Sequence, residues 1–101
     1  MIIYNVTINV EEGIHHDWLH WLQSVHIPEV MATGCFVSHK VMRLITTQEG
    51  EEGITYAVQY TATDMKQYMT YQKQYAPELR QKGEQLFGNR FVAFRTLLEE
   101  V

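Results

Sequence analysis

The chain has 101 residues, of which 46% are hydrophobic, 20% charged and 12% aromatic, with a formal net charge of −4. That length supports one hydrophobic core and predicts a single domain over residues 1–101, and the composition excludes a disordered tail or a fibrous repeat. A lone cysteine, Cys35, excludes an internal disulfide framework, and an isoelectric point near 5.7 argues against nucleic acid as the main partner. Residues Ile2 to Val10 then alternate, with Tyr4, Val6, Ile8 and Val10 on one face and Ile3, Asn5, Thr7 and Asn9 on the other. This period of two predicts a first strand. Its polar interruptions and the lack of a basic leader make it an unsuitable signal peptide. No apolar run approaches the roughly 20 residues that span a bilayer, so a cytoplasmic, reducing environment without a membrane partner is expected.

Glu11-Glu12-Gly13 ends the strand, and the period changes. Ile14, Trp18, Trp21, Leu22 and Val25 share one stripe at helical spacing. Pro28 has no N–H and disfavours a helical Ile27, so this helix is expected to end or kink near His26. A further turn through Val30 and Met31 would close at Thr33-Gly34. Phe36–Thr47 reads as a second strand and Ile54–Thr61 as a third, joined by the acidic, glycine-bearing stretch Gln48–Gly53. Thr63 or Asp64 can cap a second helix, Asp64 with Gln67 at the capping-box spacing, and this helix carries Tyr68, Tyr71 and Tyr75. Pro77 suits the first turn of a further segment, Glu78–Phe87, packed through Leu79, Leu86 and Phe87. Gly88-Asn89 turns the chain into a last strand, Arg90–Leu98.

The order β-α-β-β-α-β predicts an α+β, ferredoxin-like fold: an antiparallel sheet with helices on one face. Parity assigns Tyr4, Val6, Ile8, Val58 and Phe94 to the covered face. It gathers Asn5, Thr7, Gln59 and Arg95 on the other, with His39 and Arg43 as further candidates. That mixture is too polar for a dry core and too apolar for an ordinary wet surface. Two uses fit, a sheet-to-sheet homodimer and the lining of a small-molecule cleft. They are compatible, because two such sheets packed face to face enclose a barrel-like cavity.

Individual residues carry candidate chemistry. His26, at the proline, titrates near neutrality and suits acid–base work; His39 is the alternative. The plainer role for His26 is to satisfy carbonyls freed at a helix end. Arg95 lies in the apolar run Phe91–Leu98 and needs a carboxylate partner, such as Glu29 or a glutamate of a second chain, or else an anionic ligand. Arg43 is the other candidate anion holder, and Asn5, Thr7 and Gln59 would supply neutral hydrogen bonds. His16 and His20 have metal-ligand spacing, but no third ligand completes the face, and no metal or cofactor is expected. Cys35 reads as a small buried hydrophobe rather than a nucleophile. Trp18, Trp21 and the tyrosines read as core or interface before a ligand cage. Gly88–Phe94 is similar to the stacking strand of RNA-recognition modules, but it is the last strand rather than the third, and the net charge is negative.

Taken together, Met1–Thr7, Trp18–Trp21, His26–Val30, Thr33-Gly34, Thr55–Tyr60 and Phe91–Leu97 resemble a small bacterial family of unknown function. More distantly, the pattern resembles the dimeric α+β barrel proteins, whose His-x-Pro segment after the first helix is similar to His26-Ile-Pro28. That superfamily includes cofactor-free monooxygenases, haem-degrading enzymes, isomerases and dehydratases. The resemblance implies a homodimer that binds a small organic ligand between paired sheets. The alternatives are a cofactor-free enzyme using a cavity histidine and a regulatory interaction module.

Overall fold

The computed structural model describes residues 1–46 and 49–101. Four strands, β1 (Ile2–Val10), β2 (Ser38–Arg43), β3 (Ile54–Ala62) and β4 (Phe91–Glu99), form one sheet in the order β2-β3-β1-β4. Every neighbouring pair is antiparallel. Each of the two β-α-β crossovers therefore skips one strand, and the helices they carry lie on the same face. These helical segments are α1 (His15–Trp21), a π-helical turn (Leu22–His26), α2 (Ile27–Ala32), α3 (Met65–Gln74) and α4 (Ala76–Phe87). The α+β, ferredoxin-like expectation is met. The second strand is shorter than the expected Phe36–Thr47; Thr47, and Gln48 of the predicted hairpin, lie outside the described residues.

Local chemistry explains the boundaries. The Gln67 N–H donates to Asp64 Oδ1 at 2.9 Å, which caps α3 as the spacing predicted. Gly53 enters β3 at φ +82°, and a Cβ there would lie 2.7 Å from both Asn9 Oδ1 and Val10 O. Only glycine fits that approach. The first helix, by contrast, does not stop at Pro28. A regular α-helix would leave the carbonyl four residues before Pro28 unbonded and clashing with its ring. Instead the Ile27 N–H donates to the Leu22 carbonyl, a wider i to i+5 closure, and Pro28 falls in the first turn of α2, where no N–H is needed.

That widened turn resets the helix phase. Trp18 and Leu22 are buried, but Val25, predicted to continue their stripe, is 42% exposed. His26 takes the inward position instead. The core packs this helix and α3–α4 against one face of the sheet: Tyr4, Ile8, Val10, Tyr56, Val58 and Tyr60 from the strands meet Trp18, Leu22, Ile27, Val30, Tyr68, Tyr71 and Leu79. Tyr4 lies at the centre of an aromatic group, with Phe36, Tyr60, Tyr68 and Tyr71 between 5.3 and 6.1 Å from its ring centroid. Burial raises the Tyr60 and Tyr71 hydroxyls well above the usual phenol range, so both stay neutral. Leu86, expected in this packing, is 61% exposed.

Register decides what the other face carries. Directly paired residues point to the same side. Val6 pairs Val58 and Arg95, so Arg95 lies on the helix side; Tyr60 pairs His39 and Tyr56 pairs Arg43, which puts both of these there too. Three of the residues predicted for the open face are therefore on the covered one, and Phe94 moves the opposite way. Phe94 pairs Thr7 and is 71% exposed. Asn5, Thr7 and Gln59 do face away from the helices, as expected.

Candidate functional site

The helices do not cover the sheet evenly. Between α1 with its π-turn, α4, and the β1/β4 half of the sheet lies a cavity of about 70 Å³. Its floor is Val6 and Ile8 of β1 with Phe91, Ala93 and Arg95 of β4. One wall is Trp18, Trp21, Leu22 and His26, and the other is Leu79, Arg80, Gly83 and Glu84. It opens past Arg95 and Glu84 onto a shallower depression of about 440 Å³, lined further by Gly88 and Asn89.

Each wall follows from local sequence. Residues 18, 22 and 26 line up because the π-turn adds one residue to the second repeat; without it Val25 would face inward. The His26 ring stacks on Trp21, with centroids 4.8 Å apart and planes at 26°. Trp21 in turn meets Phe87 edge-on at 5.7 Å. Gly83 makes room for the indole: a Cβ there would lie 3.0 Å from Trp21 Cη2. Burial, helped by the Arg95 charge and opposed by Glu29, lowers His26 from 6.5 to about 4. His26 is therefore a neutral ring at ordinary pH, able to donate from one nitrogen and accept at the other.

Arg80 is held by neutral groups. Arg80 Nη2 donates to Tyr4 OH at 3.1 Å and to Gln72 Oε1 at 2.8 Å, while its Nε–H is buried with no acceptor. The Trp18 indole N–H is likewise buried and unpartnered. Among the described residues the ion pairs are Lys82–Glu29 and Arg90–Glu11, each at 2.8 Å, so neither Arg80 nor Arg95 has a carboxylate partner there. Glu29, the expected structural partner of Arg95, is engaged elsewhere.

A family model described as Domain of unknown function (DUF4286) matches residues 1–101. The chain belongs to this family. A search of curated proteins finds no relative. Among solved structures, this DUF4286 chain is similar to an ethd family protein from Bacillus halodurans C-125, at 13% identity over 100% of both chains and a TM-score of 0.73. HapK from Hahella chejuensis matches 100% of the chain with 93% of its own, at 14% identity and a TM-score of 0.72. A dimeric ferredoxin-like protein of unknown function from Jannaschia sp. CCS1 matches 99% with 100% of its own, at 14% identity and a TM-score of 0.62. At these identities the likeness carries the fold.

Within this DUF4286 fold the predicted site residues separate into three groups. His26 and Arg95 meet at the cleft. Asn5, Thr7 and Gln59 form a polar patch on the open face, where Gln59 Nε2 donates to Asn5 Oδ1 at 3.3 Å and Asn5 Nδ2 reaches Thr7 Oγ1 and Thr96 Oγ1. His39 and Arg43 sit exposed on β2, the far edge from β4, and neither lines the cleft. Arg43 lies near His15, whose titration is lowered by burial first, then by His16 and Arg43. His16 and His20 are exposed, and Cys35 is buried. Arg80 and Glu84 were absent from the sequence reading. The signal for Arg80 was its place beside Leu79 on the inward stripe of α4, one helical turn before Gly83.

Among the described residues no helix is long and apolar enough to cross a membrane.

Proposed function

We propose that this protein is a homodimer whose subunits each bind a small organic molecule in the cleft between the helices and the β1/β4 half of the sheet. The observation that carries the binding site is the convergence there of the stacked Trp21–His26 pair, an apolar floor and two arginines without carboxylate partners. Ligand sites are concave, mostly apolar and carry a few converging polar groups, which describes this cleft. The residues that suggested a site between paired sheets divide differently: the titratable ones, His26 and Arg95, belong to the helix side.

The open face supports the dimer. Val92, Phe94 and Leu98 are between 47% and 71% exposed beside the Asn5–Gln59–Thr96 patch. An apolar strip with embedded, mutually satisfied polar groups is the make-up of a subunit interface. A structural neighbour described as dimeric adds support.

Binding is favoured over acid–base catalysis by the same His26. A ring lowered to about 4 is a weak base near neutral pH, whereas general bases work best with values near the operating pH. A thermal-shift screen of small organic molecules tests the reading. Hits should raise the melting temperature of the wild type, and Ala93→Leu, which fills the cleft floor, should abolish the shift. Hits that stabilise Ala93→Leu equally would place binding elsewhere.

A further inference from the structure

Resting on that reading, we infer that the cleft takes a small organic anion, a carboxylate carried on a flat apolar body. The polar groups of its walls are dominated by donors. The Trp18 indole N–H and the Arg80 Nε–H are both buried without an acceptor, although the great majority of buried polar groups in proteins are paired. Trp18 is 2% exposed and cannot turn to solvent for a partner. An indole N–H and a guanidinium have no acceptor capacity, so only a group bringing lone pairs satisfies them. Arg95 stands at the mouth with no carboxylate partner among the described residues, and His26 beside it is neutral.

Charge and shape narrow the class. Two arginines and one carboxylate, Glu84, line the cleft, which leaves a net positive wall in a site partly shielded from water. Arg presents a planar fork that matches a carboxylate, and such charge-assisted bonds are stronger than neutral ones. The remaining lining is apolar, with the Trp21–His26 stack offering a flat surface. A doubly charged phosphate would leave most of its oxygens against that apolar lining, so the monoanion fits better. The room of about 70 Å³ is several times the ~10–15 Å³ that admits one water, enough for a small headgroup. A larger body would extend past Arg95 into the neighbouring depression.

Both tryptophans of the chain line the cleft, so intrinsic fluorescence reports occupancy directly. Titration with benzoate should give a saturable change, with benzamide and inorganic phosphate binding at least tenfold more weakly. Arg95→Gln should weaken benzoate about tenfold, the loss of one charge-assisted contact, and leave benzamide unchanged. Glu84→Gln should tighten benzoate. Arg95 and Glu84 are exposed, so neither variant threatens folding. Benzamide binding as tightly as benzoate, or an Arg95→Gln variant that binds benzoate like the wild type, overturns the anion assignment and leaves the cleft as a ligand site. Phosphate binding as tightly as benzoate overturns the carboxylate. Silence toward benzoate, while a neutral molecule from the thermal-shift screen moves the fluorescence, likewise overturns only the anion. Silence toward all of them overturns the cleft as a binding site as well.

Discussion

His26 links the local chemistry of the cleft to stability. Its folded value, about 4, lies below the ordinary 6.5, so between these values the unfolded chain binds more protons than the folded one. The stabilisation is complete above pH 6.5 and is lost as pH falls toward 4. The shift corresponds to about 3 kcal/mol at most, because part of the ring meets solvent. Urea unfolding from pH 7 to pH 4 should show a loss in the wild type that His26→Phe, which keeps the stack on Trp21 and cannot titrate, largely lacks. Parallel curves for the two proteins would show that His26 is not a buried neutral ring. The residue types that matter were visible in the sequence: a histidine before a proline and an arginine inside an apolar strand. The face of Arg95 was not. Phe91, Ala93 and Leu97 are as apolar as Val92, Phe94 and Leu98, so the period of two marks β4 as a strand without choosing its inward side. Pairing of Val10 with Phe91 and of Ile8 with Ala93 makes that choice.

At the scale of elements, strands β1 and β3 were legible because both are central and alternate cleanly. The edge strand β2 was legible as a strand but not in its bounds or its inward face, because exposure on both sides removes the burial that fixes a pattern. The start of α3 was legible to within one residue, Thr63 or Asp64, since a cap is a local interaction, here between Asp64 and the Gln67 N–H. Asp64→Ala should cost about 1 kcal/mol and Asp64→Ser much less, measured by urea unfolding at neutral pH. Equal stability of the alanine variant would show that the cap contributes nothing to α3. The phase of the first helix was out of reach of a 3.6-residue period, because the π-turn that accommodates Pro28 adds a residue. It exchanges Val25 for His26 at the inward position, and so a helix irregularity places a polar ring in one wall of a mostly apolar cleft.

For the whole molecule, the two faces of the sheet divide the work. The helix side holds the core and the cleft, and on the proposed reading the open side, with Phe94 and its neighbours, meets a second copy of the chain. Multi-angle light scattering at micromolar concentration should give twice the 11.9 kDa chain mass for the wild type. Phe94→Glu, on the open face, should shift it to monomer, whereas Leu97→Glu, on the helix side of the same strand, should leave the dimer intact. A monomeric wild type would contradict the pairing of open faces. The central claim is that ligand and partner use opposite faces, and a nitrogen-15 NMR titration with benzoate reads both faces in one spectrum. The account predicts that the Trp18 and Trp21 indole signals move while the Asn5 and Gln59 side-chain amides stay in place. Movement of those amides with stationary indoles would put the site on the open face and contradict it.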